Sequence, residues 1–212
     1  MLEKYYRNCD AGYEQVKGAK LMFADQAGFG RISDPANCWA PPKERPAVPC
    51  LRIRQYKTVY GAVCPETGES FYLVMDGNNK ENMSEFLKTL SEKYPEHIIL
   101  LVVDNASWHM TQQENSRRRS KNKQAKTAFK TEERLIVPNN IRLTYLPPRT
   151  PEMNPIETIW REIRKRGFKN KCFVSLKAVV EKFNEVVCSM SKSDVISITR
   201  WGWIDRILNH VF

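Results

Sequence analysis

The run His97-Ile98-Ile99-Leu100-Leu101-Val102-Val103 is followed at once by Asp104. From Ile98 onward no polar residue interrupts it, and such an unbroken apolar stretch of strand length suits a strand buried on both faces. An earlier run, Leu21-Met22-Phe23-Ala24, closes on Asp25 in the same way, and Gly28 and Gly30 are expected to break the chain just afterwards. Ligand sites in open α/β sheets lie at the carboxyl ends of the strands. Two buried strands that each deliver an aspartate to that end therefore set the frame for the rest of the chain.

Outward from these strands the pattern alternates. Arg52 to Cys64 and Ser70 to Met75 read as two strands joined by the turn Pro65-Glu66-Thr67-Gly68, a hairpin. Before them, residues 31–50 hold Pro35, Pro41, Pro42, Pro46 and Pro49 and read as a long irregular loop. Over residues 80–94 the period changes: Met83, Phe86, Leu87 and Leu90 fall at helical spacing, and Pro95 ends the helix. After Asp104 comes a polar stretch of about thirty residues without periodicity. Ile141 to Leu146 is a fifth strand, and Pro147, Pro148 and Pro151 mark a hard turn. One helix begins near Asn154, and another near Ser175 carries Leu176, Val179, Val180, Phe183 and Val187. The natural packing is α/β, a central mixed five-stranded sheet flanked by helices on both faces.

Composition narrows the class. The 212 residues suit one domain with a real core. No apolar run reaches the roughly eighteen residues a membrane-spanning helix needs, and the N-terminus lacks the apolar stretch of a secretory signal. A cytoplasmic protein with no membrane role is expected. The six cysteines, Cys9, Cys38, Cys50, Cys64, Cys172 and Cys188, show neither C-x-x-C pairing nor zinc-ligand spacing, which leaves reduced structural thiols. Lys and Arg outnumber Asp and Glu by 34 to 24, a net charge of +10, which favours polyanionic partners and nucleic acid first.

A phosphodiester is attacked in line, and charge builds on both the attacking and the leaving oxygen; two metal ions a few ångström apart stabilise both. Mg²⁺ takes oxygen ligands, usually one or two carboxylates plus substrate phosphate. Asp25, Asp104 and Glu157 are the three carboxylates placed to converge. Each also has an ordinary role open to it. An aspartate that closes a strand serves as a turn or cap residue. Asn154-Pro155-Ile156-Glu157 reads as N-cap, N1, N2 and N3, close to a capping box. Ile156, Ile159, Trp160 and Ile163 form the buried stripe of that helix, with Glu157 at its border, facing the sheet edge.

The local sequences go further. Phe23-Ala24-Asp25-Gln26-Ala27-Gly28-Phe29-Gly30 resembles the first acidic motif of the bacterial insertion-sequence transposases in the Tc/mariner superfamily. Val103-Asp104-Asn105-Ala106-Ser107-Trp108-His109 resembles the second, and the segment from Leu146 through Pro148-Arg149-Thr150-Pro151-Glu152-Met153-Asn154-Pro155-Ile156-Glu157 to Trp160 resembles the third and most specific. The likeness runs from about Leu21 to Trp203. It implies an RNase H-like fold and a DDE active site in which Asp25, Asp104 and Glu157 hold Mg²⁺ or Mn²⁺, two ions in all. His109, Asn154 and Arg149 match positions beside the site that place DNA or orient the carboxylates. A structural, half-buried histidine and a helix N-cap are the plain alternatives for His109 and Asn154, and Trp160 reads as core.

The chain departs from the family pattern at two places. Gln26 stands where relatives often carry an acidic residue. The interval from Asp104 to Glu157, 53 positions, is longer than usual, and the excess forms a basic insert at about 111–133 that includes Arg117, Arg118, Arg119 and Lys121. Such an insert either tracks a DNA backbone or is a solvated loop. The resemblance implies cut-and-paste transposition at TA targets, with DNA ends and target as partners and a homodimer assembled on DNA. Residues 1–20 read as a lead-in and 21–212 as the catalytic domain. The helix-turn-helix region of relatives is absent before Asp25, so the chain is expected to be either the second frame of a split gene, partnered by an upstream helix-turn-helix product, or a truncated remnant, and alone it is expected to bind DNA weakly and without sequence preference. Two alternatives stay open, an RNase H-like nuclease that cuts without joining and a non-catalytic DNA-binding remnant.

Overall fold

The computed structural model describes residues 18–106, 109 and 135–211. Strand β1 spans Gly18–Ile32, β2 Arg52–Val63, β3 Ser70–Met75, β4 His97–Val103 and β5 Ile141–Tyr145. Helix α1 spans Lys80–Lys93, α2 Ile156–Gly167, α3 Leu176–Ser189, α4 Lys192–Thr199 and α5 Gly202–Val211, with a 3-10 turn at Pro151–Met153 ahead of α2. The strands form one mixed five-stranded sheet in the order β3-β2-β1-β4-β5. β2 runs antiparallel to its neighbours β1 and β3, while β4 and β5 run parallel to β1. This is the RNase H-like arrangement, with helices on both faces.

Side-chain alternation along β1 sorts the two cores. Leu21, Phe23, Ala27 and Phe29 face α2 and α3, joined by Val195 of α4 and by Ile204 and Leu208 of α5. Met22 and Ala24 face the opposite way, onto Met83, Phe86, Leu87 and Leu90 of α1. In β4, Ile99, Leu101 and Val103 point to the α1 side and Val102 to the other, so the strand is buried on both faces as its composition predicts. Local chemistry sets the helix starts. Asn79 accepts the Asn82 backbone N–H at α1, Ser175 accepts that of Ala178 at α3, and Ser191 with Asp194 forms a capping box at α4.

Three expectations need correction. The first strand does not end at Asp25. It starts at Gly18 and continues to Ile32, because β2 supplies an antiparallel ladder from Phe23↔Val63 to Ile32↔Arg52 that holds Gly28 and Gly30 extended. The third acidic motif is not an N-cap box: α2 begins at Ile156, and Asn154 caps nothing with its side chain. Two further helices, α4 and α5, follow the two expected ones. The lead-in through residue 17 and the basic insert with Arg117, Arg118, Arg119 and Lys121 lie outside the described residues, as do Ser107 and Trp108. Among the described residues no helix is long and apolar enough to cross a membrane. Their five cysteines are unpaired, Cys64 buried and Cys38, Cys50, Cys172 and Cys188 exposed.

Candidate active site

Strand register brings the first two aspartates together. Parallel pairing aligns Phe23 with Val102, so two residues on, Asp25 stands level with Asp104. β4 stops there, and β1 continues alone along that edge. Asp25 follows the alternation of Phe23 and Ala27 and faces α2. The opposing residue of β2 is Gly61, where an added Cβ would lie 2.4 Å from the Trp160 ring and 3.0 Å from Ile156. The missing side chain lets the first turns of α2 settle on the sheet, and Glu157 in that first turn reaches Asp25. Trp160, 1% exposed, is core as expected.

A cleft of about 440 Å³ opens at this point, lined by Asp25, Asp104, Asn154, Glu157, Arg149 and Ala106 among others. Burial pushes the Asp25 carboxyl up to about 8, offset in part by the Gln26 backbone N–H and reinforced by the charges of Glu157 and Asp104 and by a hydrogen bond with Glu157. Without a cation, a proton shared with Glu157 keeps the pair from repelling. Asp104 goes the other way. Burial works against its charged form, but the His109 side chain and the Ala106 backbone N–H outweigh it and hold the carboxyl below the ordinary value.

Asp104 fills its plain role and the chemical one together. Its Oδ1 accepts the Ala106 N–H at 2.9 Å, a turn of the kind aspartate favours, and accepts His109 Nδ1 at 2.5 Å. Oδ2 accepts no hydrogen bond among the described residues. His109 is fully buried rather than half-buried. Its Nε2 contacts Gln26 Nε2. Tyr145 Oη donates to the His109 carbonyl at 3.0 Å. Gln26, noted in the sequence only as a departure, is thus the group that orients the histidine behind Asp104. Their separation of 83 positions leaves no local signal of that contact.

Asn154 is 2% exposed, and its Nδ2 donates to the Ala24 carbonyl at 3.2 Å, tying the start of α2 to β1 one residue before Asp25. Its Oδ1 is buried and has no hydrogen-bond partner among the described residues. At the rim, Arg149 holds a left-handed φ of 63° in the turn after β5. Asn105 Nδ2 donates to the Leu146 carbonyl at 2.5 Å and so joins the ends of β4 and β5.

The donor chemistry fits a hard divalent cation, with three carboxylates and no thiolate at the cleft. An acid raised by its carboxylate neighbours is also a group that a cation would relieve. Among the described residues no three Asp, Glu, His or Cys side chains stand close enough together to hold a metal ion as they are placed.

Comparison with known proteins identifies the family. A family model described as "DDE superfamily endonuclease" matches residues 20–180, a span that includes all three carboxylates. An uncharacterized protein of Sinorhizobium fredii (strain NBRC 101917 / NGR234), y4pE/y4sA, is 30% identical over 150 residues, which is 68% of this chain and 95% of that protein. The Mos1 mariner paired end complex with Mn superposes with a TM-score of 0.58 at 12% identity over 94% of this chain. The catalytic domain of Mos1 mariner transposase does so with a TM-score of 0.50 at 10% identity, covering 94% of this chain and 81% of that one. This chain spans about half the Mos1 chain of the paired end complex, 55% of its length. At such identities the likeness is one of fold. The family match across most of the chain, centred on the cleft, says more: this chain belongs to the DDE superfamily endonucleases.

Proposed function

We propose that the chain is the catalytic domain of a Tc/mariner-type transposase, which cleaves a DNA strand at an element's end and joins the freed 3′-hydroxyl to target DNA. The observation that carries this reading is that Asp25, Asp104 and Glu157, from β1, the end of β4 and the first turn of α2, line one cleft. Asp25, Asp104 and Glu157 would hold Mg²⁺ or Mn²⁺, and a Mos1 paired end complex is known with Mn. When bound, a pair of such ions stabilises the attacking and the leaving oxygen of the phosphodiester. The protein's own groups do the positioning. His109 fixes the Asp104 carboxylate through Nδ1, Gln26 fixes His109, and Asn154 fixes the spacing between α2 and β1. Arg149, at the rim, is placed to meet a phosphate. No side chain is required as a covalent nucleophile, since orientation and charge suffice for in-line displacement.

DNA ends and target are the partners this reading names, with a homodimer on DNA and a helix-turn-helix module for end recognition. TA target choice and the cut-and-paste route belong to the same proposal. A strand-cleavage and strand-transfer assay with Mn²⁺ and a terminal-repeat duplex, supplemented with the end-binding module, tests it. Cleavage with joined product that disappears in Asp104→Asn is expected. Cleavage without joining would reduce the reading to a nuclease, and neither activity under any metal would overturn it.

A further inference from the structure

We propose that the unpaired edge of β1, together with one face of α2, forms a track for the phosphates of a DNA strand leaving the carboxylate cleft. The inference rests on the DNA reading above and deepens it by assigning a surface. Beyond Phe23, β1 has lost β4 and pairs only with β2 among the described residues. The edge it leaves open borders a groove of about 290 Å³ lined by Gly28, Gly30, Tyr56, Arg164 and Phe168 among others. The groove and the cleft are separate hollows built on the same two elements. β1 carries Asp25 and then Gly28. α2 carries Glu157, then Arg161 and Arg164 at i+4 and i+7, on one face. With a rise of 1.5 Å per residue, these cations stand about 6 and about 10.5 Å along the helix from Glu157.

The cations are poised rather than consumed. Arg164 stacks over the Phe29 ring at 5.1 Å and donates to the Gly28 carbonyl at 3.3 Å, and among the described residues it meets no carboxylate. Arg161 is exposed and forms no ion pair among the described residues. On the neighbouring face Arg166 is taken up by Glu162 at 2.8 Å and Asp194 at 3.7 Å. The free charge of α2 is thus concentrated on the face in line with Glu157. The groove's own carboxylate, Asp34, is held by Lys169 at 2.7 Å. Gly28 is exposed, and a Cβ there would meet nothing within 4 Å, so a ligand's backbone can approach closely. The Tyr56 ring lies against Gly30, where a Cβ would come within 2.3 Å, and the tyrosine is 50% exposed, which makes it a flat platform. Cations, open backbone and an exposed aromatic together suit a nucleic-acid strand. A protein strand adding to this edge fits less well, because the Ala24 and Gly28 carbonyls it would need are already engaged by Asn154 and Arg164.

The test is fluorescence anisotropy of the full chain with a labelled duplex carrying a single-stranded flank, over a range of salt. The variants are Arg161→Gln/Arg164→Gln, Gly28→Asp and, on α1 and outside the groove, Lys88→Gln as control. When neither arginine is there to neutralise a phosphate, the slope of log K against log salt falls by about 1.4 to 1.8, and affinity at low salt drops at least fivefold. Gly28→Asp, which adds a negative charge where there is room for it, weakens binding without lowering Tm, so the outcome does not depend on the double variant folding. Lys88→Gln keeps wild-type affinity. Wild-type affinity and slope in both groove variants, or an equal loss in Lys88→Gln, would overturn the track while leaving the DNA reading intact. A wild-type chain that binds no DNA would overturn both.

Discussion

Burial and the facing carboxylates raise Asp25 to about 8, so at neutral pH the metal-free site keeps a proton between Asp25 and Glu157. The unfolded chain releases that proton near pH 3.9. Between about pH 4 and pH 8 the folded state therefore holds a proton that the unfolded state lacks, and stability falls as pH rises through that window. Asp25→Asn should flatten this part of the stability profile, read by urea unfolding at several pH values in chelator. Asp104 has the opposite sign. Its lowered carboxyl contributes stability that is present above about pH 4 and is lost as the pH falls through the folded value below it. His109→Ala removes the partner behind that shift and should raise the Asp104 value, seen by carboxyl NMR titration, and lower kcat more than KM. At this scale the sequence displayed the three candidate carboxylates but not their supports. Asp25, Asp104 and Glu157 stand in local motifs. The contacts Gln26–His109 and Asn154–Ala24 join residues 83 and 130 positions apart, which no local pattern encodes.

At the scale of elements, Gly61 sets how closely α2 lies on the sheet. Gly61→Ala drives a methyl into Trp160, and overpacking of this kind costs about 1–3 kcal/mol. Because the same displacement carries Glu157 away from Asp25, cleavage should fall further than in a variant equally destabilised elsewhere, such as Val186→Ala in α3; matched Tm values with unequal rates would bear this out. The hydrophobic runs at β4 and β5 and the helical stripes of α1, α2 and α3 were legible because each pattern is strong within its own window. The far half of β1 was not, because Gly28 and Gly30 are poor strand residues held extended by a partner about thirty positions away. α4 and α5 are short helices of 8 and 10 residues, too brief for periodicity alone to separate them from loop.

For the molecule as a whole, the fold places the middle of β1, the end of β4 and the start of α2 around a cleft whose carboxylate charges oppose one another. A ligand that binds only the folded state raises its stability by about 2.7 kcal/mol at a hundred times Kd, which for a chain of this size is roughly 5–11 °C in Tm. Because metal must displace the Asp25–Glu157 proton, this gain should increase as pH rises toward 8. The measurement that bears most directly on the central claim is thermal unfolding during a Mn²⁺ titration, with a DNA duplex present throughout, on wild type, Asp25→Asn and Asp104→Asn. A saturable rise in Tm for wild type that both variants lose is the predicted result. Equal rises in all three chains, or none in any, would contradict a metal site built from these carboxylates.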